Sequence, residues 1–353
     1  MKVLVTGSHG YIGSVLCDEL MRNGAEVIGL DTNLYPSKEF LPWTGPAKFL
    51  EIDIRDIEPR NLDDVDVVVH LAALSNDPLG ELDPSLTSDI NHTASIRLAS
   101  LCRDRKIRRF IFSSSCSIYG ASEDSAVLDE TAPFAPVSAY ARSKADTEHE
   151  LLGLATKDFA PIILRNATAY GVSPKMRFDL VLNNLFAWGF TTGHIRIDSD
   201  GTPWRPLVHI RDICQAIVLS LEAPEEVIRS QFFNVGDDQE NYRVHDIGRI
   251  VQRTLPEAKL QVTGIAGSDS RSYRVNFQKL HIVLPTFRKQ WTAQRGAEEL
   301  LEVLKRRGLT FEEFSSGAYA NVEILRRSLT SGELASDLRP NPSFLRTKEV
   351  NHD

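Results

Sequence analysis

A short glycine motif near the start of the chain sets the strongest limit on its fold. Residues 5–13 read VTGSHGYIG, so Gly7, Gly10 and Gly13 lie three residues apart. The apolar run KVLV precedes the motif, and apolar residues at helical spacing follow it. The motif therefore predicts a strand, a tight turn and a helix, which together are the first unit of an alternating α/β fold.

The first half of the chain continues this alternation. Further strands are predicted at Glu26–Asp31, Lys48–Asp53, Asp66–Leu71, Arg109–Ser113 and Pro161–Leu164, after a first strand at Lys2–Thr6. Helices are predicted at Pro84–Cys102 and around Tyr140–Leu152. Such an order indicates a Rossmann-type, doubly wound parallel sheet that binds its ligands beyond the carboxyl ends of the strands.

The pattern changes after residue 170, where Gly, Pro and Trp become frequent and short strands mix with helices. We predict a Rossmann domain at residues 1–170, to which part of 205–240 returns. A smaller mixed α/β substrate-binding domain is expected at 171–327. The polar segment 328–353 is expected to be a loosely held tail.

The glycine motif also predicts a dinucleotide site. Gly7 would make the tight turn, Gly10 would let the backbone approach a pyrophosphate, and Gly13 would let the helix and strand pack closely. The N–H groups at the helix start would face the phosphates. Asp31 ends the second strand, where a carboxylate binds the adenosine ribose and would repel a 2′-phosphate, so the pattern favours NAD over NADP. The spacing is GxxGxxG instead of GxGxxG, and without this context an ordinary strand-to-helix turn would explain it equally well.

A second cluster, SSSCSIYG followed by SAYARSK, carries groups suited to proton transfer. Tyr140 and Lys144 are four residues apart and share one face of the predicted helix. The pKa of a free phenol is roughly 10. A nearby ammonium favours the phenolate and thereby lowers the pKa of the tyrosine. Tyr140 could then remove a proton from a sugar hydroxyl as hydride leaves the same carbon, with Ser115 holding the oxygen. A surface tyrosine beside a solvated lysine is the alternative, and the serines at the end of the preceding strand argue against it.

Over roughly residues 1–310 the chain resembles the extended short-chain dehydrogenase/reductase family, specifically its NAD-dependent nucleotide-sugar epimerases and dehydratases such as UDP-glucose 4-epimerase-like enzymes. The motifs that carry the resemblance are TGSHGYIG, EIDIRD, VVHLAAL, FIFSSSCSIYG, YARSK and GTPWRPLVHIRD. The resemblance implies the catalytic set Ser115, Tyr140 and Lys144. It implies cofactor contacts from Gly7, Gly10, Tyr11, Ile12, Gly13, Asp31, Asn33, Asp53, Ile54, Leu71, Ala72, Ala73, Asn91, Ser113, Tyr140 and Lys144. Substrate contacts are expected from Ser75, Ser115, Thr168, Arg205 and Arg271, with Arg205 clamping the diphosphate.

Several positions depart from the family pattern. The 4,6-dehydratases carry an Asp-Glu pair after the catalytic Ser or Thr, whereas this chain has Cys116 and Ser117. No carboxylic acid is therefore present there to protonate a leaving hydroxyl. Thr168 stands at the family's asparagine position, and the RPGD segment expected near Arg271 is absent. Ser75 stands where galactose epimerases have a lysine, and the polar loop Ser75-Asn76-Asp77 either faces the sugar or forms a capping turn.

These observations lead to a nucleotide-sugar 4-epimerase that works through a transient 4-keto sugar. One alternative is a nucleotide-4-keto-sugar reductase, and others are a dehydratase or decarboxylase of the same family. A catalytically silent NAD-binding sensor or interaction subunit is a further alternative, although the intact set of Ser115, Tyr140 and Lys144 argues against it. The family further implies a homodimer formed through the helices that carry Asn91 and Tyr140.

Composition narrows the remaining classes. The net charge of −8 is spread along the 353 residues without an acidic or basic block, so neither nucleic acid nor a membrane surface is an expected partner. No apolar run is long enough to span a bilayer, and no signal-peptide pattern is present. The four cysteines occur singly, which favours reduced thiols in a cytoplasmic protein over a metal site or disulfides.

Overall fold

The fold is built around a seven-stranded parallel sheet. The computed structural model describes residues 1–35, 39–122, 126–264 and 271–344. Its strands are β1 (Lys2–Thr6), β2 (Glu26–Asp31), β3 (Lys48–Glu51), β4 (Val67–His70), β5 (Arg109–Ser115), β6 (Val127–Leu128), β7 (Ala160–Asn166), β8 (Thr168–Tyr170), β9 (His194–Ile197), β10 (Trp204–His209), β11 (Phe232–Val235), β12 (Asn241–Arg243), β13 (Lys259–Val262) and β14 (Arg274–Val275). The large sheet has the order β11-β7-β5-β4-β1-β2-β3, and this agrees with the predicted Rossmann-type fold.

The helices cover both faces of this sheet. They are α1 (Tyr11–Arg22), α2 (Asp77–Gly80), α3 (Pro84–Ser88), α4 (Ala94–Asp104), α5 (Ala139–Leu154), α6 (Val181–Thr192), α7 (Ile210–Glu222), α8 (Glu225–Ile228), α9 (Val244–Thr254), α10 (Gln278–Val283), α11 (Ala293–Arg307), α12 (Phe311–Ser315) and α13 (Asn321–Thr330). Helices α1 and α7 pack together on one face, and α4 and α5 pack together on the other. The strands between them are buried on both faces, which explains their continuous apolar sequences.

The strand order reverses beside β1, which pairs with β2 on one side and with β4 on the other. The chain enters the sheet at β1, extends outwards to β3, and then crosses to β4 and continues in the opposite direction. A crevice opens at such a reversal, beyond the carboxyl ends of the two central strands. The fold therefore places the turn after β1 and the loop after β4 on either side of one cleft.

The helix predicted at Pro84–Cys102 is interrupted by a π-helical segment, Asp89–Thr93, between α3 and α4. Such wider turns often occur at functional sites. The carbonyl of Asn91 accepts hydrogen bonds from the hydroxyls of Ser95 (2.6 Å) and Thr147 (3.2 Å). The apolar spacing of the sequence predicts one helix here, but it carries no signal for the extra residue in the turn.

The second half of the chain forms a separate packing region and also returns to the large sheet. Helices α6, α9 and α11 share a buried cluster with β9 and β10. Strand β10 pairs with β8 and β12, and β9 pairs with β13. Strand β11 pairs with β7, and so the segment Phe232–Val235 extends the Rossmann sheet.

Residues 328–344 are not loosely held, which corrects the sequence-based expectation for this part of the tail. Leu338 is buried in the same apolar cluster as Ile54. Arg339 forms an ion pair with Asp56 through both terminal nitrogens of its guanidinium. The tail is polar in composition, and a single buried leucine with one ion pair is too sparse a pattern to predict its attachment.

Candidate active site

A cleft at the reversal point of the sheet collects nearly all the predicted site residues. The cofactor residues that line it are Gly7, Gly10, Tyr11, Ile12, Gly13, Asp31, Asn33, Asp53, Ile54, Leu71, Ala72, Ala73, Ser113, Tyr140 and Lys144. Ser75, Ser115, Thr168 and Arg271, predicted to contact substrate, line it as well. Five of these segments meet because each lies at the carboxyl end of one of the strands β1 to β5 at the same edge of the sheet, while Tyr140, Lys144, Thr168 and Arg271 come from other elements.

The glycine turn packs too closely for side chains. A Cβ atom on Gly13 would lie 2.0 Å from the carbonyl oxygen of Gly7, and one on Gly7 would lie 2.8 Å from the nitrogen of Ala72. Gly7 also has φ +72°, in the left-handed region that favours glycine. The turn thus brings the start of α1 against the loop after β4, with the first N–H groups of the helix at the cleft.

Backbone hydrogen bonds orient the carboxylate of Asp31 at the end of β2. Its carboxylate accepts hydrogen bonds from the backbone N–H groups of His9 (3.0 Å) and Asn33 (2.9 Å). Asn33 has φ +52°, which asparagine tolerates better than most residues, and this turn keeps its N–H pointing back at Asp31. Burial raises the pKa of Asp31, and these backbone donors oppose that shift by stabilising the ionised form.

Asp53 and Ile54 begin a short turn beyond β3. Asp53 accepts hydrogen bonds from the backbone N–H of Arg55 (2.9 Å) and from the guanidinium of Arg55 (Nε 3.0 Å, Nη2 2.6 Å). Ile54 is buried beneath this turn. The Asp53 carboxylate is therefore oriented by a bidentate arginine, which is a geometrically strict pairing.

The three predicted catalytic residues meet at the centre of the cleft. Tyr140 lies in the first turn of α5 and forms a side-chain hydrogen bond with Ser115 at the end of β5. The Nζ atom of Lys144 lies 5.9 Å from the centre of the Tyr140 ring and donates a 2.8 Å hydrogen bond to the carbonyl of Ser113. Burial raises the pKa of Tyr140 to about 12 and lowers the pKa of Lys144 to about 7. Both shifts favour neutral side chains, so ionising Tyr140 requires added positive charge in the cleft.

A buried ion pair lies directly behind Lys144. Glu148, one helical turn further along α5, accepts hydrogen bonds from Arg165 on β7 (Nε 2.9 Å, Nη2 2.8 Å) and from the hydroxyl of Ser114. Both charged side chains are almost wholly buried. The negative charge of Glu148 opposes the effect of burial on the Lys144 pKa. The pair thus connects α5 to two strands beneath the catalytic residues.

Asn91 lies behind the wall of the cleft instead of lining it. Its side-chain oxygen accepts from the N–H of Leu74 (2.8 Å), and its amide nitrogen donates to the carbonyl of Leu74 (3.1 Å) and the hydroxyl of Ser143 (3.1 Å). Asn91 is fully buried. It therefore ties the loop after β4 to α5, and its predicted contact with the cofactor stays a prediction.

A hydrogen-bonded chain that sequence reasoning missed runs beneath the same loop. His70 bonds to Thr6 through Nδ1 (2.7 Å) and to Ser95 through Nε2 (2.7 Å). Burial lowers the pKa of His70 to about 3, so the ring is neutral. Because Ser95 donates onward to the carbonyl of Asn91, the His70 proton belongs on Nε2. Histidine in an otherwise apolar strand was the available signal.

The substrate side of the cleft is organised by two further ion pairs. Arg177 forms a bidentate pair with Asp179 (2.9 and 2.8 Å) and donates to the hydroxyl of Ser75 (3.0 Å). Arg271 pairs with Asp77 near Tyr140. Gly80 allows this segment to approach α5, since a Cβ there would lie 3.0 Å from Tyr140. Ser75, Asp77, Arg177 and Arg271 thus form one connected polar surface.

Arg205 is not brought to the cleft. It is buried on β10, and its guanidinium donates to the carbonyls of Trp204 (2.8 Å) and Arg271. It therefore supports the segment that carries Arg271, and its proposed role as a diphosphate clamp stays a prediction. Two buried polar atoms that line the cleft, the hydroxyl of Ser117 and the side-chain oxygen of Asn166, have no hydrogen-bond partner within the described structure.

The cleft also includes residues outside the predicted set of site residues. They are His9, Thr32, Asn76, Asp77, Asn166, Lys175, Met176, Arg177, Tyr273, Ala318, Tyr319, Asn321 and Ile324, among others. Most follow residue 165, where periodicity is weak, and their position depends on how the second half of the chain folds over the sheet. The loop sequence after β4 was the one usable signal for Asn76 and Asp77.

The donor set fits a dinucleotide. The glycine turn presents helix N–H groups, Asp31 presents a carboxylate for ribose hydroxyls, and Lys144 presents its amino group beside Tyr140. The unpartnered atoms of Ser117 and Asn166 provide further polar contacts inside the cleft. Fold and cleft together define an α/β protein of the dinucleotide-binding class.

Comparison with known proteins gives the family. Residues 3–236 match the model of the NAD dependent epimerase/dehydratase family. An uncharacterized UDP-glucose epimerase of Bacillus subtilis, YtcB, is 31% identical over 257 residues, covering 67% of this chain and 77% of that protein. A putative UDP-glucose 4-epimerase of Methanocaldococcus jannaschii is 29% identical over 263 residues, covering 72% and 82%. The chain belongs to the NAD-dependent epimerase/dehydratase family, and its cofactor is NAD.

Solved structures support the same conclusion without separating the reactions. TunA, an NAD-dependent NDP-hexosamine 5,6-dehydratase, superposes with a TM-score of 0.77 at 27% identity, covering 86% of this chain and 98% of TunA. MoeE5 in complex with UDP-glucuronic acid and NAD gives 0.75 at 26% identity, covering 88% and 100%. The UDP-glucuronic acid 4-epimerase of Bacillus cereus gives 0.73 at 25% identity, covering 87% and 99%, so an epimerase and a dehydratase are similarly close in fold.

Three further properties concern the described residues. No helix among them combines the length and apolar character needed to cross a bilayer. Within the same residues, no three His, Cys, Asp or Glu side chains are grouped to hold a metal ion. All four cysteines are buried as free thiols.

Proposed function

We propose that the protein is a nucleotide-sugar 4-epimerase that acts through a transient 4-keto sugar. The observation that carries the proposal is the meeting of Ser115, Tyr140 and Lys144 beside the predicted dinucleotide site. The relatives named as UDP-glucose 4-epimerases favour a uridine diphosphate sugar as substrate. The cofactor's chemistry is to accept a hydride from the sugar carbon and later return it.

The protein's own groups supply the proton transfer. Tyr140 takes the proton from the sugar O4, and the hydrogen bond from Ser115 fixes the position of that oxygen. Positive charge on a bound oxidised nicotinamide would oppose the effect of burial on Tyr140 and favour its phenolate, whereas on Lys144 it would act in the same direction as burial and favour the neutral amine. In its protonated form Lys144 also favours the phenolate, since its nitrogen lies 5.9 Å from the centre of the Tyr140 ring. After the keto sugar rotates in the cleft, Tyr140 returns the proton to O4. No net oxidation occurs, because the hydride and proton both return.

The surroundings of Cys116 favour epimerisation over a dehydration in which a carboxylic acid at that position protonates the leaving hydroxyl. The Cys116 thiol is fully buried and contacts the carbonyl of Arg165 at 3.2 Å, so it does not reach the cleft. Ser117 does line the cleft and is a weak acid. The carboxylates that line the described part of the cleft are Asp31, Asp53 and Asp77. Asp77 lies near Tyr140, and together with the likeness to TunA it makes a dehydratase the second candidate.

The test is to incubate the protein in D2O with single nucleotide sugars, including UDP-glucose and UDP-glucuronic acid, without added reduced cofactor. We expect an isomer of unchanged mass and no deuterium on carbon, because the same hydride returns. A product lighter by one water would instead establish the dehydratase, and loss of carbon dioxide would establish a decarboxylase. Turnover only of 4-keto sugars with NADH would establish the reductase, and no turnover at all would favour the silent binder.

Tyr140→Phe tests the assigned base directly. We expect turnover to fall by about 10²–10⁴-fold, the usual contribution of a general base, while bound NAD is retained. Tyr242→Phe is the matched control, because its hydroxyl donates to Glu240 in the second region and does not line the cleft. Full activity in Tyr140→Phe would refute the assigned role.

A further inference from the structure

Residues 318–344 form a strap across one end of the cleft. Ala318, Tyr319, Asn321 and Ile324 line the cleft next to the turn that carries Asp53 and Ile54. The matched family model ends at residue 236, so it assigns these residues no role. The strap therefore adds a wall to the end of the cleft where Asp31 and Asp53 are expected to hold the adenosine half of NAD.

On the side of the Rossmann sheet, the strap is attached directly to the turn that carries Asp53 and Ile54. Arg339 pairs with Asp56 (Nη2 to Oδ1 2.9 Å), and Arg55, which orients Asp53, donates to the carbonyl of Asp337 (2.9 Å). Leu325 and Leu338 are buried in the apolar cluster that contains Ile54. Movement of the strap away from the turn would thus break two polar contacts and expose two leucines.

On the opposite side, the strap is attached to the substrate region. The carbonyl of Tyr319 accepts the N–H of Phe178 at 3.0 Å, and its ring packs edge-on against Phe178 and Phe40, with 5.4 Å between centres in each case. The Tyr319 hydroxyl donates to Glu313 at 2.7 Å. The strap is therefore fixed at both margins of the cleft, with its lining residues between the two attachments.

We propose that residues 318–344 retain NAD in the cleft, so that the cofactor stays bound through many turnovers. NAD cannot leave over the adenosine end unless the contacts at Asp56 and Arg55 open. Retention suits a reaction that restores its own cofactor in every cycle. The inference concerns the cofactor alone and stands whether the substrate reaction is epimerisation or dehydration.

The first test is Arg339→Asp, which places two carboxylates together at the attachment point. Protein loaded with radiolabelled NAD is chased with excess unlabelled NAD and separated by rapid gel filtration. We expect NAD to dissociate about tenfold faster, because like charges in contact weaken docking. The matched control is Arg326→Asp on α13, where the exposed arginine pairs with Glu323 on the same helix. Equal dissociation rates in wild type and Arg339→Asp would overturn the proposal.

The second test closes the strap instead of opening it. In Asp56→Cys/Arg339→Cys, a bis-maleimide can join the two introduced thiols, while the four native thiols are buried. The cross-linked protein should release NAD at least severalfold more slowly than the same variant before cross-linking. An unchanged release rate after complete cross-linking would overturn the proposal, even if Arg339→Asp proved unstable. Neither readout involves sugar turnover, so failure here is distinguishable from failure of the proposed function.

Discussion

At the scale of single residues, the ionisation of side chains in the cleft depends more on their burial than on residue type. Lys144 is surrounded by the ring of Phe112 (4.6 Å to its centre), the ring of Tyr140 and the carbonyl of Ser113. Desolvation is the largest influence on its pKa, and Glu148 is the opposing charge. The family motif gives the residue types, whereas their ionisation depends on packing that the motif does not encode.

The folding stability of the NAD-free protein should depend on pH because Lys144 is buried. Its pKa is about 7 in the folded state and higher in the unfolded chain, so between these values the unfolded state binds more protons. Folding stability should therefore rise with pH above 7. Relative to Lys144→Met, wild type should gain up to about 1.4 kcal/mol per pH unit in urea unfolding measured from pH 7 to 9. Lys259→Met, at an exposed position, is the control, and parallel curves for wild type and Lys144→Met would contradict the prediction.

The sequence was informative about residues in the glycine turn and the catalytic cluster, because each follows a recognisable strand. Asp31, Tyr140 and Lys144 were predicted from their spacing together with the strands and helices expected around them. The motif of Arg205 was also visible, and in the fold its guanidinium donates to the carbonyls of Trp204 and Arg271, so that its role at the diphosphate stays a prediction. Side-chain direction in the second region depends on contacts between distant segments, and no local pattern specifies these contacts.

At the scale of elements, the start of α1 depends on the absence of side chains. Gly13 faces the carbonyl of Gly7 so closely that an added Cβ would displace backbone and not merely a flexible side chain. The same turn sets the direction of the helix N–H groups toward the cleft. Cofactor binding and local packing are therefore coupled at this position.

Gly13→Ala should accordingly weaken NAD binding by at least tenfold, because the first turn of α1 must shift. Gly153→Ala is the matched control: it lies within α5, has open space around the site of the added Cβ, and lines no part of the cleft. The control should gain about 0.5–1 kcal/mol of stability without altering NAD affinity. Isothermal titration with NAD and thermal unfolding measure the two effects, and unchanged affinity in Gly13→Ala would contradict the expectation.

Most element boundaries in the first half follow from the sequence, and the exceptions have physical causes. Strand β5 extends to Ser115, two residues past its predicted end, because β7 pairs with it as far as Asn166. Strand β3 ends at Glu51, before Asp53, because Asp53 caps the following turn. The apolar pattern locates an element, whereas partner strands and capping side chains determine where it ends.

At the scale of the whole molecule, we expect a homodimer formed through α4 and α5. One side of α5 is buried against the sheet, while Arg142, Asp146 and His149 at helical spacing are exposed on the other. Light scattering at micromolar concentration should give about twice the chain mass of 39.5 kDa. Asp146→Arg should weaken the dimer, and Asp158→Arg, at an exposed turn outside this face, should not. A monomer in wild type would refute the arrangement.

The division of the chain into two regions is less sharp in space than in sequence. Strand β11 returns to the Rossmann sheet, α7 packs on α1, and the strap closes over the adenosine end. Helix α7 and strand β11 fall within 205–240, the part of the chain that we expected to return to the Rossmann domain, whereas the strap follows it. The change of composition after residue 170 carries no signal for the position of the strap.

The π-helical segment at Asp89–Thr93 makes the angular position of α4 depend on a count of residues. An α-helix turns about 100° per residue, and a π-turn accommodates one residue more than the α-helical repeat. Removing one residue there would rotate Leu98 and Cys102 of α4 out of the core by that angle, or else displace Asn91 from Leu74. The contact of Asn91 with the loop after β4 and the orientation of α4 thus both depend on one additional residue. The number of residues in this segment is therefore more strictly constrained than their types.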